Sequence, residues 1–299
     1  MSDALAAVGL GKRYGTSWGL RDCTLALPEG RVAALVGPNG SGKSTLLRMA
    51  AGFVRPSTGT VTVFGEPAGL ANPAALARVG YLDQERPLYR QFRIEEILAL
   101  GRRLNPRWDD AGARAALAEL EIPLRKRVGQ LSIGQRAQVA LVLCMAKRPD
   151  LLLLDEPVAA LDPLARHRLM QVLMETVADR GTTVFLSSHV ISELEAVCDH
   201  VVILAGNRVQ LTAGIEELLA RHLILIGPRG QEIGFPEVEA VISARHTGRQ
   251  TMLLVRTVPD QVPEGWRVVE PSLEEVVLAY LAEPGAMLGT ALGLGEGAP

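Results

Sequence analysis

The segment Gly37-Pro38-Asn39-Gly40-Ser41-Gly42-Lys43-Ser44-Thr45 constrains this chain more than any other stretch. It fits the pattern of glycine, four residues, glycine, lysine, then serine or threonine. The apolar run Val32-Ala33-Ala34-Leu35-Val36 precedes it, and Thr45-Leu46-Leu47-Arg48-Met49-Ala50-Ala51 follows with helical character. The motif therefore stands in the strand–loop–helix setting that it needs. Backbone N–H groups at a helix N-terminus point toward an anion. Gly37, Gly40 and Gly42 let the main chain wrap a polyphosphate without Cβ clashes. In such a loop Lys43 reaches the β- and γ-phosphates as a point charge, and Ser44 offers its hydroxyl to Mg2+. The expected ligand is a nucleoside triphosphate.

A second segment, Leu151-Leu152-Leu153-Leu154-Asp155-Glu156-Pro157, sets two acids at the end of an apolar strand. Ligands of open α/β sheets gather at the carboxyl ends of strands. Asp155 suits Mg2+, directly or through water, and Glu156 suits a general base or water-orienting group. Around these segments strand and helix patterns alternate. Leu151–Leu154, Thr182–Leu186 and Val201–Leu204 read as strands, and Ser132–Ala146, Pro163–Ala178 and Ile191–Cys198 as helices. That alternation predicts an α/β fold with a mostly parallel sheet.

The boundaries follow from shifts in pattern. Residues 1 to about 66 read as short strands and turns, and residues 88–148 as an inserted helical region punctuated by Pro106 and Pro123. Residues 1–218 then form one nucleotide-binding domain. Residues 219–283 form a small C-terminal α/β module, with strands at Leu223–Ile226, Thr251–Val255 and Arg267–Val269 and a closing helix at Leu273–Leu281. Residues 284–299, rich in Gly and Ala with little charge, are expected to be a disordered tail.

Composition closes off several functions. A formal net charge of −2 offers no general basic surface, so no nucleic-acid partner is expected. The cysteines Cys23, Cys144 and Cys198 have no metal-ligand spacing and read as free thiols of a reducing compartment. No N-terminal signal segment is visible, and no apolar run approaches the roughly 20 residues that span a bilayer.

Further motifs carry a family resemblance. Leu131-Ser132-Ile133-Gly134-Gln135 resembles the signature motif of the ATP-binding-cassette (ABC) ATPases and precedes the acidic strand, as in that family. Gln84, in Gly80-Tyr81-Leu82-Asp83-Gln84, resembles the Q-loop glutamine. Ala160-Leu161-Asp162-Pro163 is similar to the D-loop, and His189, in Leu186-Ser187-Ser188-His189, to the H-loop histidine. Tyr14, in Lys12-Arg13-Tyr14-Gly15, matches the aromatic residue that stacks on adenine. The resemblance implies a P-loop NTPase core with an N-terminal antiparallel β part, an inserted helical subdomain and a C-terminal appendage. It implies ATP hydrolysis with Mg2+ near Ser44, Gln84 and Asp155, and chemistry by Glu156, His189 and Gln84. Pro38, Asn39, Ser41 and Thr45 would complete the nucleotide loop, while Ser132, Gly134 and Gln135 would act in trans on a second ABC subunit's nucleotide, with Asp162 linking the two sites. One residue departs from the family pattern: Ile133 stands where glycine is commonest. A β-branched residue resists positive φ, so Ile133 is harmless only if the position takes an ordinary backbone conformation.

Within that family three kinds of work are open: powering a membrane transporter, acting on ribosomes, and DNA repair. The chain has one cassette rather than two, and its helical region lacks sustained heptads and Cys clusters. Both observations point to transport. The partners implied are a separate transmembrane permease and a second cassette, in a homodimer or a heterodimer, at the cytoplasmic face of the membrane. Glu85–Ile94, with aromatic and aliphatic anchors among arginines, reads as part of a groove for a permease helix. Pro271–Leu278 and Tyr89–Glu96 resemble the ABC-2-type exporter group, which favours export.

Overall fold

In chain order the computed structural model holds β1 (Asp3–Tyr14), β2 (Ser17–Pro28), β3 (Val32–Val36), α1 (Lys43–Ala50), β4 (Thr58–Val63), β5 (Glu66–Pro67), α2 (Pro73–Arg78) and β6 (Val79–Leu82). The helical region follows as α3 (Ile94–Leu104), α4 (Asp110–Glu119), a 3-10 turn at Val128–Gln130 and α5 (Ile133–Ala146). Then come β7 (Leu151–Leu154), α6 (Pro163–Arg180), β8 (Thr183–Ser187), α7 (Ile191–Glu195), β9 (His200–Ala205) and β10 (Arg208–Gly214). The last part is α8 (Ile215–Ala220), β11 (His222–Pro228), β12 (Ala240–His246), β13 (Gln250–Arg256), β14 (Arg267–Val269) and α9 (Leu273–Ala282). The residues described are 2–69, 71–85, 87–159, 161–188, 190–229, 240–256 and 265–282. The expected tail at 284–299 lies outside them.

The central six-stranded sheet has the order β10-β9-β3-β8-β7-β6. Its strands pair in parallel from β9 to β6, and β10 closes one edge antiparallel. Parallel strands are stable where both faces are covered, and β3, β7 and β8 are buried at every position. Their alternate residues feed two separate cores. Ala34, Leu152, Leu154 and Leu186 pack toward the helical region and the C-terminal module. Leu35, Leu151, Leu153 and Phe185 pack toward α1 and the N-terminal sheet. The period-2 geometry of a strand thus lets one apolar run stitch two layers together.

The N-terminal sheet, β2-β1-β4-β5, is antiparallel. Its first two strands are longer than the short strands expected, at 12 residues each, because bulges absorb Gly9 and Gly11 without breaking the ladder. The C-terminal module is an antiparallel sheet of order β12-β13-β11-β14 with α9 against it. Strand β12 was not anticipated: its outer half, Ser243–His246, is not buried and lacks apolar alternation. Helix α2 was also missed, since six residues are too few for a helical period; Pro73 at its first turn and the Asn72 side chain, accepting from the Ala75 N–H at 3.2 Å, set its start. Helix α6 runs two residues past Ala178, to Arg180, and stops where Gly181 adopts φ 63°. Helix α7 ends at Glu195, short of the expected Cys198. The cysteines are unpaired, and burial pushes the Cys144 and Cys198 thiols up to about 12, which suits inert core residues.

Register brings the functional segments together. Leu82 pairs with Leu154, Leu154 with Leu186, and Leu35 with Ser187. The residues that follow each strand end therefore emerge at one level of one edge: Gly37, Asp83, Asp155 and Ser188. Phe185 sits at the middle of this arrangement, fully buried. Phe185→Ala should cost about 3–5 kcal/mol through lost transfer energy and an unfilled cavity. Denaturant unfolding should show this as a lower midpoint with an unchanged slope.

Candidate nucleotide site

The loop between β3 and α1 is held by backbone contacts that only glycine allows. A Cβ on Gly37 would lie 2.1 Å from the Leu204 carbonyl oxygen, and one on Gly42 would lie 2.4 Å from that of Gly19. Gly42 also caps α1 at φ 103°. Asn207, in the turn from β9 to β10, adds side-chain support: its Nδ2 donates to the Gly19 oxygen at 3.0 Å and the Gly40 oxygen at 3.2 Å. The loop's inner groups are correspondingly under-used. Ser41 Oγ is buried with no partner among the described residues. Lys43 curls back and donates to the Gly37 and Pro38 carbonyls at 2.7 and 3.2 Å. Burial holds the Lys43 ammonium below its ordinary pKa, against the opposing pull of Glu156 and Asp155. An incoming polyanion would offer that lysine a better partner than two carbonyls. Pro38, Asn39 and Gly40 are exposed, whereas Ser44 and Thr45 sit half-buried in the first turn of α1.

Tyr14 closes one side. Its ring is half-exposed at the end of β1, with Lys12 Nζ 5.5 Å from the centroid. Gly19 lies between the ring and the loop: a Cβ there would meet the Tyr14 ring at 2.8 Å and Thr45 Oγ1 at 3.5 Å. An aromatic face beside the phosphate loop suits a planar base.

The acidic pair lies on the other side. Asp155 is 1% exposed and Glu156 8%. Ser187, fully buried at the end of β8, ties them together: the Glu156 N–H donates to Ser187 Oγ at 2.9 Å, and that hydroxyl donates to Asp155 Oδ1 at 2.8 Å. The Asp155 N–H donates to the Leu82 oxygen at 2.9 Å. Glu156 is held at φ 49°, an unfavourable conformation for a side chain of this size. Asp155 Oδ2 is buried with no partner among the described residues. A carboxylate oxygen desolvated without a hydrogen bond is costly unless a cation or water meets it. The donor set of Asp155 and Ser44 is all oxygen, so these residues fit Mg2+.

The signature residues lie elsewhere in the chain. Ser132 caps α5, its Oγ accepting from the Gln135 N–H at 3.1 Å while Gln135 Oε1 accepts from the Ser132 N–H at 3.3 Å. Ile133 occupies the first helical position, is 61% exposed and has no positive φ. The position therefore needs only ordinary helical backbone, and isoleucine leaves the helix amides available. Among the described residues no hydrogen bond joins this helix start, including Gly134, to the phosphate loop. Asp162 caps α6, accepting from the Ala165 N–H at 3.0 Å, and is exposed. Gln84 is exposed just beyond β6. His189 lies outside the described residues.

Two supporting residues were not singled out from sequence. Ser187 is a polar residue ending the apolar run Thr183–Leu186, and Asn207 follows Gly206 in a turn between apolar runs. Those are the available signals, and neither names a contact.

Comparison with known proteins gives the family of the chain. Residues 20–159 match the family model described as ABC transporter. The Nod factor export ATP-binding protein I of Rhizobium sp. (strain N33) is 31% identical over 294 residues, covering 92% of this chain and 96% of that protein. The thiamine import ATP-binding protein ThiQ of Salmonella choleraesuis (strain SC-B67) is 33% identical over 204 residues, 66% of this chain and 86% of that protein. A solved ATP-binding subunit of an ABC transporter superposes with a TM-score of 0.65 at 28% identity, covering 72% of this chain and 91% of that one. The chain belongs to the ABC transporter family. It is an ABC ATPase, the ATP-binding subunit of a transporter.

Ser187→Ala would leave the Glu156 N–H and Asp155 Oδ1 without their shared partner. It should lower stability by about 1–3 kcal/mol and reduce ATP turnover, read by denaturant unfolding and steady-state hydrolysis.

Proposed function

We propose that this chain powers export across a membrane by ATP-driven, head-to-tail closure of two cassettes. The observation that carries export is the extent of the match. The Nod factor export relative of Rhizobium sp. (strain N33) covers 92% of this chain, whereas the thiamine import relative covers 66%. Dimeric closure is supported by the exposed signature at α5, which no described hydrogen bond joins to the loop of its own chain.

In this reading the adenine stacks on Tyr14, and the amides of Gly37–Thr45 together with Lys43 hold the phosphates. Ser44, Asp155 and Gln84 would hold Mg2+, which would supply positive charge to offset that of the phosphates. Glu156 orients the attacking water and takes its proton. Its strained backbone and the Ser187 contact fix that carboxylate relative to Asp155. His189 keeps water and γ-phosphate in line. The partner subunit's Ser132 and Gly134 set a hydroxyl and helix amides against the γ-phosphate, with Gln135 bracing that turn and Asp162 joining the two sites. Cleavage of the β–γ bond yields two anions that repel, and the interface opens.

The work is delivered to a separate permease, because no helix among the described residues is long and apolar enough to cross a membrane. The chain then sits at the cytoplasmic face of the membrane. A groove of about 640 Å³ between the sheet and the helical region suits a permease helix. Its lining includes Leu88, Tyr89, Leu100, Leu104, Trp108 and Leu143. Tyr89 and Leu104 are 67% and 70% exposed, and the Tyr89 and Phe92 rings stand 5.4 Å apart. Exposed anchors around a concave apolar floor mark an interaction surface.

Two outcomes test this reading. Glu156→Gln should keep Mg2+-dependent ATP affinity but lose about 100-fold or more in turnover, accumulating a closed dimer on size exclusion with ATP. Wild-type turnover in that variant would remove the base from Glu156. Leu104→Glu should abolish co-purification with the membrane subunit while leaving ATP affinity at the wild-type level; a pull-down from detergent extract reads the first and nucleotide titration the second.

A further inference from the structure

Asp83 collects an unusual set of donors for a residue in a loop. Arg48 donates through Nε to Asp83 Oδ2 at 3.0 Å and through Nη2 to Oδ1 at 3.3 Å. The Tyr81 hydroxyl donates to Oδ2 at 2.9 Å, and the Glu85 N–H donates to Oδ1 at 3.0 Å. Burial pushes the Asp83 carboxyl up, but the Glu85 amide, the Tyr81 hydroxyl and the Arg48 guanidinium outweigh it and hold it below its ordinary value.

The location gives this cluster its meaning. Arg48 stands one helical turn beyond Ser44 on α1, the helix whose N-terminus forms the phosphate loop. Asp83 immediately precedes Gln84. The Leu82 carbonyl is taken by the Asp155 N–H, and the Glu85 N–H by Asp83. Residues 82, 83 and 85 are thus each anchored, to the acidic strand, to α1 and to each other, while Gln84 between them is exposed. A surface ion pair contributes little to stability. A forked guanidinium–carboxylate pair fixes direction as well as distance, and here it fixes the segment that carries Gln84 against the helix that carries Ser44.

We propose that Asp83 is a positioning residue: clamped by Arg48 and Tyr81, it sets Gln84 at the height of the nucleotide's metal and water and ties that placement to the phosphate-loop helix. The inference rests on the reading of Gln84 given above. Arg48, Tyr81 and Asp83 also line the apolar groove.

The test uses the full chain and reads kcat and KM for ATP together with the Mg2+ concentration needed for half-maximal hydrolysis. Asp83→Asn keeps the shape and one acceptor oxygen but removes the charge. Arg48→Lys keeps the charge but loses the fork. Each should lower kcat about 10- to 100-fold by misplacing one group near the reacting atoms, raise the Mg2+ requirement, and leave KM for ATP at the wild-type value. The double variant should be no slower than the slower single, because the two residues act as one unit. Gln84→Ala, run alongside, should match them. Wild-type kcat in both Asp83→Asn and Arg48→Lys, or losses that multiply in the double variant, would overturn the clamp. Loss in Gln84→Ala with wild-type Asp83→Asn would overturn the clamp alone, and wild-type kcat in Gln84→Ala would remove the underlying role of Gln84. If Asp83→Asn does not fold, Arg48→Lys and Tyr81→Phe carry the same comparison.

Discussion

The near-contact of two backbone stretches, Gly37 beneath the Leu204 carbonyl, underlies the rest of the site. A loop that keeps its amides turned inward for an anion can use few of them for its own support. Support must therefore come from outside, from the neighbouring strand at Leu204, from the β1–β2 ribbon at Gly19 and from the Asn207 side chain. Each of these contacts is at van der Waals or hydrogen-bond range and two need the absence of a Cβ. The glycines of the loop thus serve close packing of main chain on main chain as much as access for the phosphates.

The acidic side follows the same logic with the opposite sign. Asp155 and Glu156 are desolvated by four leucines leading into them and by β8 beside them. Two adjacent carboxylates in such a place repel unless their surroundings separate their tasks. Ser187 bridges the two residues, its hydroxyl donating to Asp155 Oδ1 and accepting from the Glu156 main-chain N–H. The result is one oxygen of Asp155 that meets no partner among the described residues, beside a Glu156 held in a left-handed backbone conformation.

Much of this was legible because it is local. The phosphate loop, the acidic strand end and the helix starting at Ser132 are contiguous segments whose character is set by neighbours within a few residues. The parallel sheet was legible from the apolar runs Val32–Val36 and Leu151–Leu154, which carry no polar face. What escaped was long-range or weakly patterned. Asn207 braces Gly40 from 167 positions away. Arg48 meets Asp83 across 35 positions, and neither stands out in a list of charged residues. Strand β12 was invisible because half its side chains face no core. The question posed by Ile133 was one of backbone conformation and needed only the start of α5 to answer it.

Helix α9 brings a last consequence. Its Leu273, Val276 and Val277 are fully buried in the same core as Val36, Leu154 and Leu194. The sheet that carries the candidate site thus completes one of its two cores with residues translated after all of its own strands. During synthesis on the ribosome the far side of β9 and α7 must wait, uncovered and sticky, for more than 70 residues to emerge after β9. A truncation that removes α9 but spares every nucleotide-binding motif would still strip Val36, Leu154 and Leu194 of part of the core they pack into.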